Sequence, residues 1–510
     1  MAGATVVPRV DSLLEDAAAQ AAERPALVAG DAVLTYGELE LAVDRLAARL
    51  ARAAGLEALV GARVVVIAPN APALVVALFA ASRLGAVAVP LSARLREHEL
   101  RTILADAAPL VVVSVDAYLG LSFRGLLPRL VRDLTGVRAC LFVAADGSVT
   151  AELPAGRFGG AEPLAGDVLA ILYTSGTTGE PKGALAIQRR EADAAPRLAS
   201  VLALAPEDEV ALVIPVSHAF GLTCLLAAVA SAATAVLVDS TATLGPLLRA
   251  VEARGATVLH GSPSLFAALL KSRPAGLATV RTGFVGGAPV PPGLIERLER
   301  AGMGILNVYG LTETGAVSCC RPSDPDRVRH GTAGRPLPGY EVRVAPAAGG
   351  GPGELHVRGP YVTPGYFGRR AETEPAFTGG WFRTGDLATI EEGAVRIAGR
   401  AKELAHVGGF NVFPGEVEAV LAAHPDVVQA AVVAVPDERM GEALHAFVVA
   451  RPGSAPAPAE LLRFARGQIA GYKLPYAIRV VPELPLLASG KPDKRALTKA
   501  AAGRGEEPRG

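Results

Sequence analysis

The sequence is poor in cysteine, with four among its 510 residues: Cys140, Cys224, Cys319 and Cys320. No two of them have the Cys-x-x-Cys spacing of a metal or redox pair, and the adjacent Cys319 and Cys320 have poor geometry for a disulfide. These two observations exclude a disulfide framework. We therefore expect small, buried thiols in a reducing compartment.

The chain also lacks an excess of charge of either sign, because Lys and Arg number 50 together and Asp and Glu number 50 together. Without a net positive charge, nothing attracts a nucleic-acid backbone or an anionic membrane surface to the molecule as a whole. The amino-terminal segment has acidic residues where an export signal needs an apolar core. We expect a cytoplasmic protein that does not bind nucleic acid; a homodimer stays open.

One long run without charge, residues 219–238, is long enough to cross a membrane. Ser, Thr and Gly lie within it, and neither basic residues nor an aromatic belt flank it, as they would around a membrane span. We predict a buried helix at 219–229, a turn at 231–234 and a strand at 235–238. A spanning helix is the alternative.

The first two thirds of the chain alternate helix-like and strand-like segments. Residues 37–54 place apolar side chains on one helical face, and residues 62–68 form a continuous β-rich run typical of a strand buried on both sides. Similar runs recur at 86–90, 110–114, 140–143, 169–173, 210–214, 257–260 and 282–285. This alternation predicts the α/β class, with a large amino-terminal domain of layered sheets covered by helices.

The pattern changes after about residue 330, where Gly and Pro become dense and short alternating runs suggest a small β-rich subdomain at about 330–400. A compact α+β segment then begins, with a helix opening near Pro414 and a strand at 430–435. A chain of this length exceeds one hydrophobic core. We predict one domain over 1–401 and a second, small α+β domain over 402–510.

The most distinctive motif is Leu172-Tyr-Thr-Ser-Gly-Thr-Thr-Gly-Glu-Pro-Lys-Gly183, which follows a predicted strand. Its glycines let backbone N–H groups approach an anion, its hydroxyls add donors, and Lys182 adds positive charge. It does not fit the P-loop pattern, and an ordinary polar turn is the plain alternative. The full string resembles the phosphate-binding loop of the adenylate-forming superfamily, which includes acyl-CoA synthetases, peptide-synthetase adenylation domains and luciferases.

Further motifs resemble those of the same superfamily and occur in the family's order. They are Gly286-Gly-Ala-Pro289, Asn307-Val-Tyr-Gly-Leu-Thr-Glu-Thr314, Trp381-Phe-Arg-Thr-Gly-Asp386, the segment from Gly399 to Glu418, and Ser489-Gly-Lys491. Each is weak alone; for example, the Thr-Glu-Thr of the second could simply cap a helix. Their order over most of the chain makes the resemblance specific.

The resemblance implies a role for each matching residue. Tyr309 would stack on adenine, and Asp386 would accept hydrogen bonds from the ribose hydroxyls. Glu313 would bind Mg²⁺, Thr312 would hold the α-phosphate, and Lys491 would be catalytic. The nucleotide-binding residues would be Thr174, Ser175, Gly176, Thr177, Thr178, Gly179, Lys182, Gly287, Ala288, Pro289, Tyr309, Asp386 and Arg400.

The resemblance further implies an ATP-dependent and Mg²⁺-dependent ligase that joins a carboxylic acid to coenzyme A through an acyl adenylate. The carboxyl-terminal domain would rotate about Lys402 between the two half-reactions. The coenzyme A tunnel would be lined by Gly408, Gly409 and Lys473. An acyl pocket with room for a bulky or long apolar acid would be formed by His218, Phe220, Gly286, Gly310 and Ala316.

The sequence departs from the family pattern at three places. Ile187-Gln188 replaces a usual Thr-His pair, Leu486-Leu487 replaces an Arg-Thr pair before Lys491, and Ala405 replaces a larger aliphatic residue beside the hinge. These changes raise the hypothesis that adenylation is weakened and that the protein mainly converts a supplied adenylate. A pseudoenzyme that binds adenylates without turnover, a carrier-protein acceptor and a luciferase-like oxygenase are further alternatives.

Overall fold

The computed structural model describes most of the chain. It covers residues 9–55, 59–144, 146–154, 162–164, 167–175, 181–239, 244–272, 275–346, 351–407, 410–437, 439–487 and 491–502. Among the predicted site residues, Gly176, Thr177, Thr178, Gly179, Gly408 and Gly409 lie outside these ranges, as does Ser489 of the lysine motif.

The first sheet is built around parallel strands that are buried on both faces. Arg63–Ala68 is the clearest case, since all six of its residues are buried, as its uninterrupted Val and Ile run predicts. Two antiparallel strands form its edges. In spatial order the strands are Pro181–Ile187, Val168–Ser175, Val87–Ser92, Arg63–Ala68, Val111–Val115, Ala139–Val143 and Val149–Pro154.

The second sheet is likewise parallel at its centre and antiparallel at both ends. Its strand order is Arg335–Pro336, Gly315–Cys319, Gly304–Leu311, Thr282–Val285, Val258–His260, Glu209–Leu212, Thr234–Leu237, Pro25–Ala29 and Ala32–Thr35. One hydrophobic cluster contains buried residues of both sheets and of the helices between them. The layered α/β prediction is therefore confirmed.

The helices cover these sheets, and their ends follow local sequence signals. Tyr36–Ala54 begins after Thr35, whose side chain and that of Glu38 form a reciprocal capping box. The longer helices of the first domain are Val10–Ala21, Tyr36–Ala54, Pro72–Arg83, Glu97–Ala107, Phe123–Val131, Gln188–Val201, Ala219–Ala230, Gly245–Arg254 and Pro263–Ser272. The shorter ones are Ala275–Thr279, Leu294–Arg300, Asp326–Gly331, Arg370–Thr373 and Glu374–Ala376.

The uncharged run at 219–238 divides as the sequence predicts, into the helix Ala219–Ala230, a turn and the strand Thr234–Leu237. Among the described residues, no helix is both long and apolar enough to cross a membrane. All four cysteines are buried and unpaired, and burial raises the pKa of the Cys140 thiol to about 12. The expectation of buried, unbridged thiols is confirmed.

The β-rich region and the carboxyl-terminal region each form a sheet of their own. The first contains Glu341–Val344, Gly353–Arg358, Phe377–Thr378, Trp381–Glu391 and Ala394–Arg400. After the short helix Ala401–Glu403, the second contains Ala405–Val407, Phe410–Val412, Val427–Asp437, Gly441–Ala450 and Ala477–Val481. The last sheet packs with Pro414–Ala422, Pro458–Arg466, Gly471–Lys473 and Lys494–Ala502.

Candidate active site

The predicted phosphate-binding motif lies on an antiparallel hairpin. Val168–Ser175 pairs with Pro181–Ile187 so that Thr174 lies opposite Lys182 and Ser175 opposite Pro181. The hydroxyl of Thr174 donates a hydrogen bond to the Lys182 carbonyl at 3.4 Å. The close strand register thus fixes both ends of the motif at one edge of the first sheet.

Lys182 and Glu313 are linked through a residue that the motif search missed, Tyr366. The Lys182 ammonium lies 5.8 Å from the centre of the Tyr366 ring, and the Tyr366 hydroxyl donates to Oε1 of Glu313 at 2.7 Å. Burial, and then the Glu313 charge, raise the Tyr366 pKa, so its hydroxyl stays protonated. Tyr366 therefore fixes one oxygen of the predicted metal ligand.

The Thr312–Thr314 segment turns the chain between two antiparallel strands, so the alternative that it caps a helix is wrong. The backbone N–H of Leu311 donates to the Thr314 hydroxyl at 3.1 Å. The buried guanidinium of Arg190 donates a hydrogen bond to the Thr312 carbonyl at 3.3 Å. The same guanidinium forms an ion pair with Glu191, which is also buried. Predicted motif residues therefore rest on a buried charged pair.

The predicted adenine and ribose residues meet directly. The Tyr309 hydroxyl donates to Oδ2 of Asp386 at 2.6 Å, and Nε of Arg400 lies 2.8 Å from Oδ1 of the same carboxylate. Burial raises the Asp386 pKa, while Arg400 and Tyr309 act in the opposite direction. Asp386 is thus a buried acceptor whose two oxygens face groups from two different sheets.

Lys491 reaches this site from the carboxyl-terminal region. Its carbonyl accepts from the Leu487 N–H at 2.8 Å, and Leu486 pairs with Pro492 as an isolated β-bridge, so the lysine lies on a chain reversal. The residue is exposed to solvent, yet surrounding protein and the Arg400 charge lower its pKa. Its positive charge also lowers the pKa of His218.

Among the predicted acyl-pocket residues, Phe220 lies beside Gly286, and Phe220 and Ala316 both pack against the hydrophobic cluster that contains residues of the two sheets. A Cβ atom on Gly286 would be 2.8 Å from the Val308 carbonyl and 3.5 Å from the Phe220 ring, so only glycine fits there. Gly310 pairs with Ala316 across the neighbouring strands. Of the five predicted residues, Phe220 contributes the large apolar wall.

His218 lies immediately before the helix Ala219–Ala230. Its Nε2 atom is buried and forms no hydrogen bond to the described residues. Burial, and then the Lys491 charge, lower the His218 pKa. The side chain is therefore neutral at neutral pH.

His260 is a second buried histidine, and the sequence search missed it because no motif contains it. It ends the strand Val258–His260 and has no exposed surface. Its Nδ1 accepts from the Phe284 backbone N–H at 3.1 Å, while its Nε2 has no partner among the described residues. Burial lowers its pKa to about 3.

This pKa makes a prediction for stability. The unfolded chain binds a proton at His260 near its ordinary pKa of 6.5, and the folded chain does so only near 3. Stability is therefore lost as the pH falls through this window, by about 2 kcal/mol at pH 5 relative to pH 8. Thermal melting at both pH values should show a smaller acid-induced loss in His260→Gln. An equal loss in both proteins would contradict the prediction.

Ion pairs connect the short helix after Arg400 with other residues of the last domain. Lys402, in the helix Ala401–Glu403, is exposed, whereas Lys494 contacts Glu403 at 2.9 Å and Glu418 at 3.0 Å. Lys473, the predicted tunnel residue, lies in the last domain and forms an ion pair with Glu416 at 2.5 Å. The ion-pair partner of Lys473 is therefore a residue of its own domain.

One further contact joins the two parts of the molecule. Lys271, at the end of the helix Pro263–Ser272, donates to the carbonyl of Ala422 at 3.1 Å and to that of Val427. Ala422 ends the helix Pro414–Ala422 of the last domain, where carbonyl groups carry partial negative charge. Lys271 thus bridges the domains in the arrangement that brings Lys491 to the site.

The site combines Lys182 on a hairpin, the buried carboxylate of Asp386, and Lys491 from the carboxyl-terminal region. This combination defines an adenylate-forming enzyme. The chain belongs to the family of AMP-binding enzymes: the family model matches residues 14–367, and the model of the AMP-binding enzyme carboxyl-terminal domain matches residues 416–491. It is an AMP-forming acid–thiol ligase that uses ATP, Mg²⁺ and coenzyme A.

Relatives named as coenzyme A ligases or synthases align with this chain over most of their length. A 3-[(3aS,4S,7aS)-7a-methyl-1,5-dioxo-octahydro-1H-inden-4-yl]propanoyl:CoA ligase of Mycobacterium tuberculosis is 36% identical, over 96% of this chain and 98% of the relative. A feruloyl-CoA synthase of an Amycolatopsis species is 35% identical, over 91% of this chain and 93% of the relative. Both alignments therefore span most of this chain and most of the relative.

Solved structures of related ligases have the same fold as this chain. An anthranilate CoA ligase in complex with anthranoyl-AMP matches with a TM-score of 0.84 and 25% identity, over 98% of this chain and 99% of that one. ATP-bound MatB from Rhodopseudomonas palustris is 30% identical, over 96% of this chain and 99% of that one, with a TM-score of 0.81. Apo MatB from the same organism is 28% identical, over 98% of this chain and 99% of that one, with a TM-score of 0.71. The present structure is therefore more similar overall to ATP-bound MatB than to apo MatB.

Proposed function

We propose that this ligase activates a carboxylic acid with a bulky apolar body, either aromatic or polycyclic. Relatives named for a bicyclic propanoyl acid and for ferulic acid support this substrate class. The wall formed by Phe220 beside the obligatory Gly286 supports it from the structure, because a flat or ringed acid packs well against both.

In the proposed first half-reaction, an oxygen of the acid attacks the α-phosphorus of ATP, and the bond to pyrophosphate breaks. Lys491 and Lys182 stabilise charge that develops on the phosphate oxygens, and Asp386 with Tyr309 and Arg400 orients the nucleoside. A half-buried carboxylate such as Glu313, fixed on one oxygen by Tyr366, is the hard ligand that Mg²⁺ prefers. When bound, Mg²⁺ neutralises phosphate charge.

In the proposed second half-reaction, the sulfur of coenzyme A attacks the acyl carbon, the bond to AMP breaks, and the thiol proton passes to solvent. The acceptor's pantetheine arm would pass Gly408 and Gly409, with Lys473 near its phosphates. Lys402 would be the hinge, between a domain over 1–401 and one over 402–510. The isolated position of Lys402 between the sheet that ends at Arg400 and the sheet that begins at Ala405 supports this boundary.

The observation that carries the proposal is the approach of Lys491 to the group around Asp386. Lys491, Arg400 and Asp386 lie close enough for each charge to act on the Lys491 pKa. This favours full adenylation over the alternative in which Leu486 and Leu487 restrict the protein to a supplied adenylate. Leu486 is 48% exposed, and the Leu487 N–H still donates to the Lys491 carbonyl.

A panel of acids tests the function. With ATP and Mg²⁺ but without coenzyme A, we expect rapid pyrophosphate release for aromatic or bicyclic acids, and with coenzyme A we expect the matching acyl-CoA. Linear acids of equal carbon number should give values of kcat/KM lower by about tenfold or more. Acyl-CoA formed only from supplied adenylates would instead support the restricted enzyme, and no reaction with any acid would support a pseudoenzyme.

The Lys271 bridge gives a separate prediction about the domain arrangement. Lys271→Met should slow pyrophosphate release by about twofold to fivefold, because it removes the hydrogen bonds that stabilise the present domain arrangement. Formation of acyl-CoA from a supplied adenylate should not fall. The matched control is Lys499→Met, on the exposed surface of the last helix. An equal fall in both half-reactions would contradict the assignment.

We further propose a cytoplasmic location, which the four unbridged cysteines support. A homodimer is the oligomeric state we propose to test, by light scattering of the purified protein.

A further inference from the structure

The buried ring of His260 carries its proton on one particular nitrogen. Nδ1 of His260 accepts the Phe284 backbone N–H, so this nitrogen carries no proton. The ring is neutral near pH 7, because burial lowers its pKa to about 3. A neutral imidazole has one N–H group, which must therefore be at Nε2.

This Nε2–H donor is fully buried and has no partner among the described residues. Leaving a buried donor unsatisfied costs free energy comparable to a lost hydrogen bond, and native proteins rarely tolerate it without a reason. The ring already stacks against Phe284, with centroids 5.6 Å apart, so an apolar residue could fill the same space. A donor kept at this place implies an acceptor that the protein chain does not supply.

The direction of the donor follows from the strand. Nδ1 faces the backbone of the neighbouring strand Thr282–Val285, so Nε2, on the far side of the ring, points away from it. Val258 and Phe284, which share the face of His260, belong to the hydrophobic cluster that the helix Ala219–Ala230 covers. Nε2 therefore points into the layer between this sheet and this helix.

The same layer contains the proposed acyl pocket. Gly261, the next residue, accepts a hydrogen bond from the Gly286 N–H at 3.2 Å, and Gly286 adjoins Phe220. His218 immediately precedes the covering helix, and its buried Nε2 atom likewise has no partner among the described residues. Within the described part of the chain, two imidazole nitrogens without partners thus face one apolar layer at the carboxyl ends of parallel strands, which is where α/β sheets bind ligands.

We propose that the acid carries an oxygen acceptor, such as a ring ketone, on its apolar body, and that the Nε2–H of His260 donates a hydrogen bond to it. This inference rests on the proposed function and narrows its substrate class to oxygenated ring acids. An acid that enters past Phe220 and Gly286 with its carboxylate toward Lys491 places its far end in the layer that His260 faces.

The test uses pairs of ring-substituted propanoic acids that differ only by a ring ketone, measured by acyl-CoA formation. For the wild-type protein, we expect the ratio of kcat/KM for the oxo acid over its deoxo partner to be about tenfold to a hundredfold. His260→Asn keeps an acceptor for the Phe284 N–H but shortens the side chain, and should bring this ratio close to one. His260→Gln, which extends an N–H₂ toward the Nε2 position, should restore most of it.

The outcomes separate this inference from the proposed function. If no acid is converted to acyl-CoA, both are overturned. If ring acids are converted but the wild-type protein does not prefer the oxo partner, the inference alone is overturned, and this measurement stands even if a variant fails to fold. A preference that His260→Asn retains also overturns it, since the ketone would then bind elsewhere. Thermal melting of each variant accompanies the kinetics.

Discussion

Replacing Lys491 by alanine is expected to slow pyrophosphate release from ATP and acid by about a hundredfold to a thousandfold. The reason is electrostatic: two anions must approach each other, and Lys491 is the cation that the carboxyl-terminal region contributes to the group around Asp386. Because Lys491 is exposed to solvent, alanine there leaves little buried volume unfilled.

The same variant should convert a supplied acyl adenylate and coenzyme A at a rate within about threefold of the wild-type protein. In the proposed second half-reaction the carboxyl-terminal domain has rotated about Lys402, so Lys491 no longer faces the α-phosphate when AMP leaves. Lys499→Ala, on the exposed face of the helix Lys494–Ala502, is the matched control and should change neither rate. If Lys491→Ala slows both half-reactions equally, the lysine acts through folding or through domain movement.

Much of the fold could be predicted, because buried strands and amphipathic helices leave strong local signals. The strand Arg63–Ala68 contains an unbroken run of three Val and one Ile, and every residue of this strand and of Thr282–Val285 is buried. The strand Ala32–Thr35 was not predicted, since it is short and half of it is exposed. Edge strands gain their order from the neighbouring strand rather than from their own pattern.

The site could be predicted only where motifs mark it. Tyr366 is 53 residues from its partner Glu313, and His260 meets Phe284 only because two parallel strands share a register. Arg190 lies close to the departure at Gln188, yet its burial behind Thr312 follows from packing. Such contacts depend on how strands and helices are brought together, which no local spacing encodes.

Glu313 gives the second large prediction. Glu313→Gln is expected to lower the rate of pyrophosphate release by about a hundredfold to a thousandfold and to raise the Mg²⁺ concentration for half-maximal rate, because an amide oxygen carries no charge for the metal ion. The substitution keeps the shape of the side chain and an acceptor for the Tyr366 hydroxyl. The fold should therefore be preserved, which thermal melting checks.

Tyr366→Phe separates the charge of Glu313 from its orientation. It removes the hydroxyl that holds Oε1 of Glu313 but leaves the carboxylate, so we expect a fall of about tenfold or less and a small change in Mg²⁺ dependence. The matched control for Glu313→Gln is Glu374→Gln, which removes a carboxylate from an exposed ion pair with Arg370. If Glu313→Gln and Tyr366→Phe have equal effects and neither alters the Mg²⁺ dependence, Glu313 does not bind the metal, and its contact with Tyr366 shapes the turn at Thr312 instead.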